Sequence, residues 1–522
     1  MFSSIANLAN TQIGAAMLSL PHAIASTGLL LGLALIVFCG LTSALGLYLL
    51  TRCADKLGGR RTSFFDIASR TVPGGAKWFD AAIALKCFGV SIGYLIICGQ
   101  LMPQVVISFT KALHRDIHSI PDFLLDRSTW ILVLMVLLMP FCFLRRLDSL
   151  RHTSYLSLLA VLYLVVIVLS YALRPSMRAT LPPRKGEIHL IRFDSSLISI
   201  FPVFVFAFTC AQNVFPVFNE LKRNTEKRVN RVIGAAVGTA GFVYMITRTL
   251  DLQIVGGFGY ATFGSAVADN IITMYPSTNL FVCFGRLSMV TLTLFSYPLQ
   301  IHPCRASLDK VLFSSTSDEH LTLADIEAEE GTQEEARAAG PSTYTDDDAA
   351  ATEPLTNGEG ATSESAHARR LARLAEARER KGEIPLGRWC LLTAVLLSTT
   401  FAVSMIVDDL GLVLGVVGSV GSTTISFILP GILFAMMHKD ESTNRVRLYA
   451  KLLAIWGVLV MVVSLTANII KIIHVSNGSL GPPAVNGTLV TPSKTDKLMS
   501  LGAILPGSSA TPTTTGIART LL

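Results

Sequence analysis

Long apolar runs alternate with short polar segments along most of the chain. A bilayer core about 30 Å thick requires roughly 20 apolar residues per crossing helix, and eleven runs are long enough to qualify. The pattern therefore predicts an all-α membrane protein with about eleven transmembrane helices. The predicted spans cover residues 2–24, 27–51, 81–105, 128–144, 152–173, 195–219, 231–250, 279–303, 388–408, 410–437 and 450–473.

The first and sixth runs carry polar residues at mid-membrane depth. Such residues are tolerated in a bilayer where the chain lines a cavity, and discontinuous helices form the substrate sites of secondary transporters. Two interrupted spans, five apart in order, predict two inverted five-helix repeats with the eleventh helix as an addition. The central polar residues are Asn10, Thr11, Gln12 and Gly14 in the first run and Thr209, Cys210, Gln212 and Asn213 in the sixth.

Composition and charge agree with a membrane protein. The chain is 51% hydrophobic and 15% charged, with a mean hydropathy of +0.54, whereas soluble domains carry about 25% charged residues. Lysine and arginine concentrate in 52–78 and 219–231, which places these loops, and the first residue, on the cytosolic side. The basic loop 174–193 must lie outside and is an exception. The net charge of +7 is mostly this orientation signal, so it gives no reason to expect nucleic acid.

Composition also divides the chain into four parts. Residues 313–387 are acidic and poor in apolar side chains, which predicts a disordered cytosolic insert. Residues 474–522 form a tail that an odd number of spans places outside the cytosol. This tail is rich in threonine, proline and serine, so we expect it to be disordered. Spans one to eight then occupy 1–312, and spans nine to eleven occupy 388–473.

Neither an enzyme nor a metal site is predicted. The nine cysteines lie in spans or near cytosolic ends, and their spacing indicates neither disulfides nor a metal site. No cofactor is expected. A membrane-embedded transferase would need a nucleophile or base at mid-depth, such as histidine with aspartate, and the sequence has none there. A nutrient receptor that binds an amino acid without transporting it would need the same kind of binding pocket as a transporter. It therefore stays an alternative.

The small residues at the centre of the first span leave room for a ligand beside the backbone. These residues are Gly14, Ala15 and Ala16. If the helix breaks there, amides at the start of the outer half can bind a carboxylate, and the helix dipole adds to the attraction. Carbonyls that end the inner half can bind an ammonium group or a cation. A zwitterion suits this arrangement, and amino acids are the obvious small zwitterions.

Four stretches resemble the amino acid/auxin permease superfamily. NLANTQIGAAMLSLPHAIASTG is similar to its opening signature, and LKCFGVSIGYLIICGQLMP, FAFTCAQNVFPVFNEL and GRLSMVTLTLFSYPLQIHPCRASLDKVL follow in the expected order. The last two most resemble the vacuolar amino-acid transporters of fungi and other eukaryotic microbes. The resemblance implies the amino acid-polyamine-organocation transporter fold and secondary active transport of amino acids by alternating access. It also implies a vacuolar or lysosomal membrane rather than the plasma membrane.

The resemblance assigns roles to individual residues. It implies that the backbone groups of the substrate lie against Thr11, Gln12, Gly14, Ala15 and Ala16. We expect Tyr94 of span three to form a pocket wall. The polar interruption of span six adds Thr209, Gln212 and Asn213 to the predicted pocket. Relatives that use sodium hold the cation between an asparagine of span one and a hydroxyl of span eight. The corresponding residues here are Asn10 with Thr293 or Ser296.

The chain departs from the family in two places. Many relatives have a Cys-His pair in span six, whereas this chain has Cys210-Ala211. A histidine could relay protons, so its replacement puts that role in doubt and leaves proton or sodium coupling open. Relatives usually carry a cytosolic N-terminal tail, whereas this chain begins almost inside the first span, which leaves open a truncated gene sequence or a lost tail.

The predicted pocket residues are all uncharged, and no aspartate or glutamate lies in the middle of a predicted span. Lys86, about two turns into the third span, is expected to extend to the cytosolic interface. Burying an unpaired charge would cost several kcal/mol, so we expect neutral amino acids to be the preferred substrates. The sequence gives no expectation about the oligomeric state.

The odd span count yields a prediction about topology. Asn477 and Asn486 stand in the chain's two Asn-x-Ser/Thr sequons, both in the tail, so we expect them to be glycosylated outside the cytosol. Replacing both by glutamine should increase electrophoretic mobility, measured on membranes from expressing cells. Unchanged mobility together with trimming of the tail by a protease on the cytosolic side would contradict eleven spans.

Overall fold

The fold is described from a computed structural model. It describes residues 2–14, 16–57, 64–72, 75–116, 120–145, 153–181, 186–194, 196–215, 218, 226–245, 255–313, 384–439 and 445–476. The regular secondary structure within these ranges is entirely helical, as the sequence predicts. Nearly all of the predicted insert, the tail with Asn477 and Asn486, and Ala15 lie outside the described residues.

Short helices alternate with helices long enough to cross a bilayer. In the described ranges, seven helices meet the length and apolarity that a membrane span requires. The α-helices are α1 (Phe2–Ile13), α2 (Ala16–Thr27), α3 (Leu29–Leu57), α4 (Phe64–Thr71), α5 (Ala76–Ala112), α6 (Asp122–Leu125), α7 (Arg127–Cys142), α8 (Thr153–Leu173), α9 (Pro175–Arg178), α10 (Ser196–Ala207), α11 (Glu226–Met245), α12 (Val255–Phe263), α13 (Leu280–Phe313), α14 (Leu386–Ile406), α15 (Leu410–Met437) and α16 (Arg445–Ser476).

The first and sixth predicted spans are both interrupted. α1 ends at Ile13, and α2 begins at Ala16 beyond the buried Gly14. α10 ends at Ala207 and is followed by non-helical backbone and a short 3₁₀ turn over Ala211–Asn213. The interruptions fall at the polar centres of the two runs, where glycine and side chains that compete for backbone hydrogen bonds weaken a helix.

Helix α5 packs against several other helices of the bundle. It packs along α13 over much of its length and also contacts α7, α14 and α15. It contains 37 residues, which corresponds to a length of about 55 Å. The apolar run 81–105 predicts a shorter element because Lys77 and Lys111 interrupt the apolar pattern. The helix continues through them, since long basic side chains near the ends of a membrane helix can reach water.

Helix α15 is not a regular α-helix. It changes to π-helical turns over Gly418–Ser422 and again over Thr424–Ile428, and such wide turns occur frequently at functional sites. Its backbone approaches two neighbours too closely for a side chain. An added Cβ at Gly418 would overlap the carbonyl oxygen of Pro202 in α10, and α3 approaches α15 in the same way where Gly46 meets Ser426. Small residues therefore allow α15 to pack tightly between α3 and α10.

Residues 186–192 are joined to their surroundings by backbone hydrogen bonds. Bonds of 2.8 to 3.0 Å connect them to 27–30 on one side and to 263–265 on the other. Gly28 and Gly264 adopt φ angles of 82° and 62° at these contacts, a conformation that glycine adopts readily. We call 186–192 the clamp segment. It holds the junction of α2 and α3 beside the end of α12.

The contact at Gly418 yields a prediction about stability. Gly418→Ala places a methyl group against the Pro202 carbonyl and should destabilise the protein by about 1–3 kcal/mol. Gly238→Ala in α11 is the matched control, because an added Cβ there meets nothing within 4 Å and alanine favours a helix. Thermal unfolding of the purified variants in detergent measures the effect. Equal midpoints for the two variants would contradict the close contact.

Candidate functional site

The two interruptions are connected by the side chain of Gln12. Gln12 is buried in the last turn of α1, with 2% of its surface exposed. Its Nε2 donates to the carbonyl oxygen of Phe208 at 3.3 Å and to Sγ of Cys210 at 3.1 Å. Both acceptors lie in the non-helical segment after α10. A residue of the first interruption therefore satisfies backbone exposed by the second.

Tyr244 of α11 joins the same two helix ends. Its hydroxyl lies 2.7 Å from the carbonyl oxygen of Gln12 and 3.0 Å from that of Ala207, and it donates toward both. Its ring packs edge-on against Phe208, with centroids 5.3 Å apart. Ser43 of α3 donates to the Phe208 carbonyl at 2.7 Å. Carbonyls at helix ends lack partners within the helix, so these hydroxyls stabilise the interruptions.

Other predicted pocket residues also meet here. Nδ2 of Asn213 donates to the Thr11 hydroxyl at 2.6 Å, which joins the 3₁₀ turn to α1. The Ser426 hydroxyl of α15 donates to that of Thr209 at 3.2 Å. Gly14 and Ala16 are buried beside the break. We call this region, where α1, α2, residues 208–213 and α15 converge, the central site.

Some buried polar atoms of the central site have no hydrogen-bond partner in the described part of the chain. They are Oε1 of Gln12, both amide atoms of the Gln212 side chain and Oγ of Ser422. Leaving each of these atoms unpaired away from water would cost about 1–3 kcal/mol of stability. These atoms supply both donors and acceptors, which a polar ligand can use.

The other predicted site residues form a separate group between α5 and α13. Tyr94 is buried and bonds through its hydroxyl to Ser296 and Gln300. The Thr293 hydroxyl lies 3.0 Å from Sγ of Cys98 and donates back to its own helix. The cation site predicted between Asn10 and these hydroxyls is not visible, because the side chain of Asn10 lies outside the described residues.

Lys86 is not where the sequence places it. The expectation that its side chain extends to the cytosolic interface is wrong, because the side chain is buried with 3% of its surface exposed. Gly421 of α15 provides the space, since an added Cβ there would lie 2.5 Å from Cβ of Lys86. The thiols of Cys87 and of Cys210 in the central site lie near its ammonium group.

The sequence analysis also missed a polar face on α15. Four buried hydroxyl residues lie in or beside its π-helical turns. The signal is the run SVGSTTIS, which interrupts an otherwise apolar span in the same way as the polar centres of spans one and six. The four are Ser419, Ser422, Thr423 and Ser426.

The N-terminal end of α15 is held by Asp269. Its carboxylate accepts hydrogen bonds from the backbone amides of Leu410 and Gly411, at 2.9 and 3.4 Å. The negative charge therefore lies at the positive end of the helix dipole. Burial raises the pKa of the Asp269 carboxyl and neighbouring Asp409 adds to the effect, whereas His22 and the two backbone amides lower it. His22 of α2 contacts the carbonyl of Val267 at 3.0 Å. Helix α2 and the N-terminal end of α15 therefore meet at one loop, which contains Val267 and Asp269.

An all-helical bundle with paired interruptions and buried polar groups between them is typical of membrane transport proteins. The chain belongs to the transmembrane amino acid transporter family, because the model described as "Transmembrane amino acid transporter protein" matches residues 1–473. This confirms the resemblance to the amino acid/auxin permease superfamily. The family is one of transport proteins rather than enzymes.

Curated relatives agree with this assignment. The chain is similar to Vacuolar amino acid transporter 5 of Schizosaccharomyces pombe, with 38% identity over 91% of this chain and 95% of the relative. It is 31% identical to Vacuolar amino acid transporter 6 of Saccharomyces cerevisiae, over 89% and 98%. A more distant match is Sodium-coupled neutral amino acid symporter 2 of Danio rerio, with 23% identity over 60% and 64%.

The shared hydroxyl of Tyr244 yields a prediction. Tyr244→Phe keeps the aromatic contact but leaves two buried carbonyls without their donor, so it should destabilise the protein by about 1–3 kcal/mol. Tyr449→Phe in α16 is the control, because Tyr449 is 54% exposed. Thermal unfolding in detergent compares the two variants. If Tyr244→Phe unfolds at the same temperature as the control, the hydroxyl does not hold the helix ends.

Proposed function

We propose that this protein is a secondary active transporter that moves neutral amino acids across the vacuolar membrane by alternating access, coupled to protons or sodium. The observation that carries the proposal is the central site. Two interrupted helices meet there, and buried donors and acceptors without partners are available to a ligand. Discontinuous helices of this kind bind substrates at mid-membrane depth in secondary transporters.

The orientation of the substrate follows from the ends of the two half-helices. The first amides of α2, beginning at Ala16, would bind the substrate carboxylate at the positive end of the helix dipole. The carbonyls that end α1 would bind the ammonium group. In this proposal Gly14 gives the ligand access to the backbone, and Gln12 and Gln212 supply further hydrogen bonds.

The preference for neutral amino acids rests on the side chains around the site. Gln12, Thr209, Gln212 and Asn213 carry no charge. Among the described residues, no aspartate or glutamate belongs to the central site that could pair with a lysine or arginine substrate. Burying such a charge without a partner would cost several kcal/mol. The zebrafish relative, whose name states neutral amino acids, is consistent with this preference.

The proposed architecture has eleven spans. α1 with α2, and α10 with the segment after it, would be the first helices of two inverted five-helix repeats, with α16 as the additional helix. The interruption of both elements and the family membership support this arrangement. The vacuolar location is supported by the names of the fungal relatives. If sodium is the coupling ion, Asn10 with Thr293 or Ser296 stays the proposed cation site.

Counterflow in reconstituted vesicles tests the function. Vesicles loaded with unlabelled glutamine should take up labelled glutamine, and external leucine should compete with this uptake more strongly than arginine or glutamate. The reason for the weak competition by arginine is that a cationic side chain would be buried without a described carboxylate to pair with. Absence of counterflow across a panel of labelled amino acids would contradict transport. Stronger competition by arginine or glutamate than by leucine would contradict the neutral preference.

Two valine variants link any exchange to the central site. Gly14→Val places a branched side chain where the substrate carboxylate must reach the backbone, so it should abolish exchange. Gly238→Val is the control, because Gly238 faces open space in α11. Thermal unfolding confirms that both variants are folded. Normal exchange by a folded Gly14→Val variant would remove the first interruption from the substrate site.

A further inference from the structure

Lys86 is a buried cation inside the transport bundle. It lies ten residues after the first residue of α5, about 15 Å along the helix axis. Its side chain is 3% exposed, and its stem packs against Gly421, where α15 is π-helical. A lysine near the end of a membrane helix normally extends its ammonium group to water, and this one does not.

Lys86 has no acidic partner in the part of the chain that the structure describes. Asp80, on the same helix, contacts Ser307 and Lys310 instead. Among the described residues, the titratable groups near Lys86 are the thiols of Cys87 on α5 and Cys210 after α10. On α13, the thiol of Cys304 donates to the carbonyl oxygen of Ala84, two residues before Lys86, and α15 contributes Gly421. An ammonium group in such surroundings is unfavourable unless an opposite charge arrives.

The central site is where an opposite charge would arrive. Cys210, which lies near Lys86, also accepts a hydrogen bond from Gln12 at 3.1 Å. The buried atoms without partners belong to Gln12, Gln212 and Ser422, which lie on the elements around this cysteine. A substrate carboxylate bound at the interruptions would therefore bring its negative charge into the same poorly solvated region as Lys86, where charges interact strongly.

We propose that Lys86 is the proton-binding residue of the transporter, and that it gains a proton when a substrate carboxylate binds and loses it when the substrate leaves. The proposal rests on the function proposed above and specifies its coupling ion. On the acidic side of the membrane, an N–H bond forms between Nζ and a proton from water. On the other side the bond breaks, and the proton returns to water. Each cycle carries one zwitterion and one proton.

Binding linkage explains why the two events are coupled. A carboxylate favours the protonated amine, so the protonated amine must favour the carboxylate by the same free energy. The empty site is then most stable with a neutral amine, and the occupied site with an ammonium group. Substrate would therefore accumulate on the side to which the proton gradient drives protons.

The test uses the full-length protein in vesicles with a pH gradient and with the membrane voltage held near zero by potassium and valinomycin. Labelled glutamine is the probe. With one proton per substrate, a gradient of one pH unit supports about tenfold accumulation. We expect that accumulation from the wild type and from Lys111→Met, a control at the other end of α5. Lys86→Met keeps the length of the side chain but cannot bind a proton, so it should show about onefold accumulation.

Exchange under equal pH on both sides provides a second readout. Wild-type exchange at about pH 5 should exceed exchange at about pH 7.5, whereas the exchange that Lys86→Met retains should be independent of pH. Accumulation by Lys86→Met equal to that of the wild type would overturn the proposal. So would pH-dependent exchange of the wild-type kind in this variant.

A measurement on the wild type decides the matter if Lys86→Met does not fold. Adding glutamine to purified protein in weakly buffered detergent solution should cause proton uptake, followed with a pH-sensitive dye. Wild-type protein that exchanges glutamine without taking up protons on binding would overturn the role of Lys86 alone. Wild-type protein that exchanges no amino acid would overturn the proposed function, and this inference with it.

Discussion

A polypeptide inside hydrocarbon has no water to bind the backbone groups that a broken helix exposes, and the rest of this structure depends on how that constraint is met. Each interruption is satisfied by side chains from other elements. Gln12 crosses from the first break to the second, Ser43 reaches the second from α3, and Tyr244 spans the carbonyls of both. The two breaks therefore form one unit, and a rearrangement at either of them changes the partners of the other.

The same constraint explains why glycine stands at the helix contacts. A binding region between helices has to be surrounded closely by other helices, and Gly46, Gly418 and Gly421 allow α15 to approach α3, α10 and α5. The close approach places the hydroxyl of Ser426 in α15 within hydrogen-bond distance of Thr209 at the central site. It also leaves the stem of Lys86 in a space that any larger residue at Gly421 would fill. The same small residues therefore determine both the close packing of α15 and the burial of Lys86 beside it.

The parts of the fold that are local in sequence could be predicted, and the parts that depend on distant partners could not. The interruptions were predictable because Gly14 and the polar residues near 209–213 stand inside otherwise apolar runs. Tyr244 was not, since nothing in its own sequence neighbourhood shows that it meets two helix ends. Lys86 was placed wrongly for the same reason. Its burial is set by Gly421, more than 300 residues later in the chain.

The clamp segment illustrates a different way of building an ordered surface. Its contacts to 27–30 and 263–265 are formed by the backbone, and every residue type except proline offers the same amide and carbonyl groups. The side chains of the clamp segment can therefore diverge, and with them the charge presented on this face, without loss of its register. Three glycines are fixed by geometry. Gly28 and Gly264 adopt positive φ angles, and an added Cβ at Gly186 would overlap the backbone amide of Ala266. Related proteins could thus adapt this surface to compartments of different ionic composition while keeping the same connection between helices.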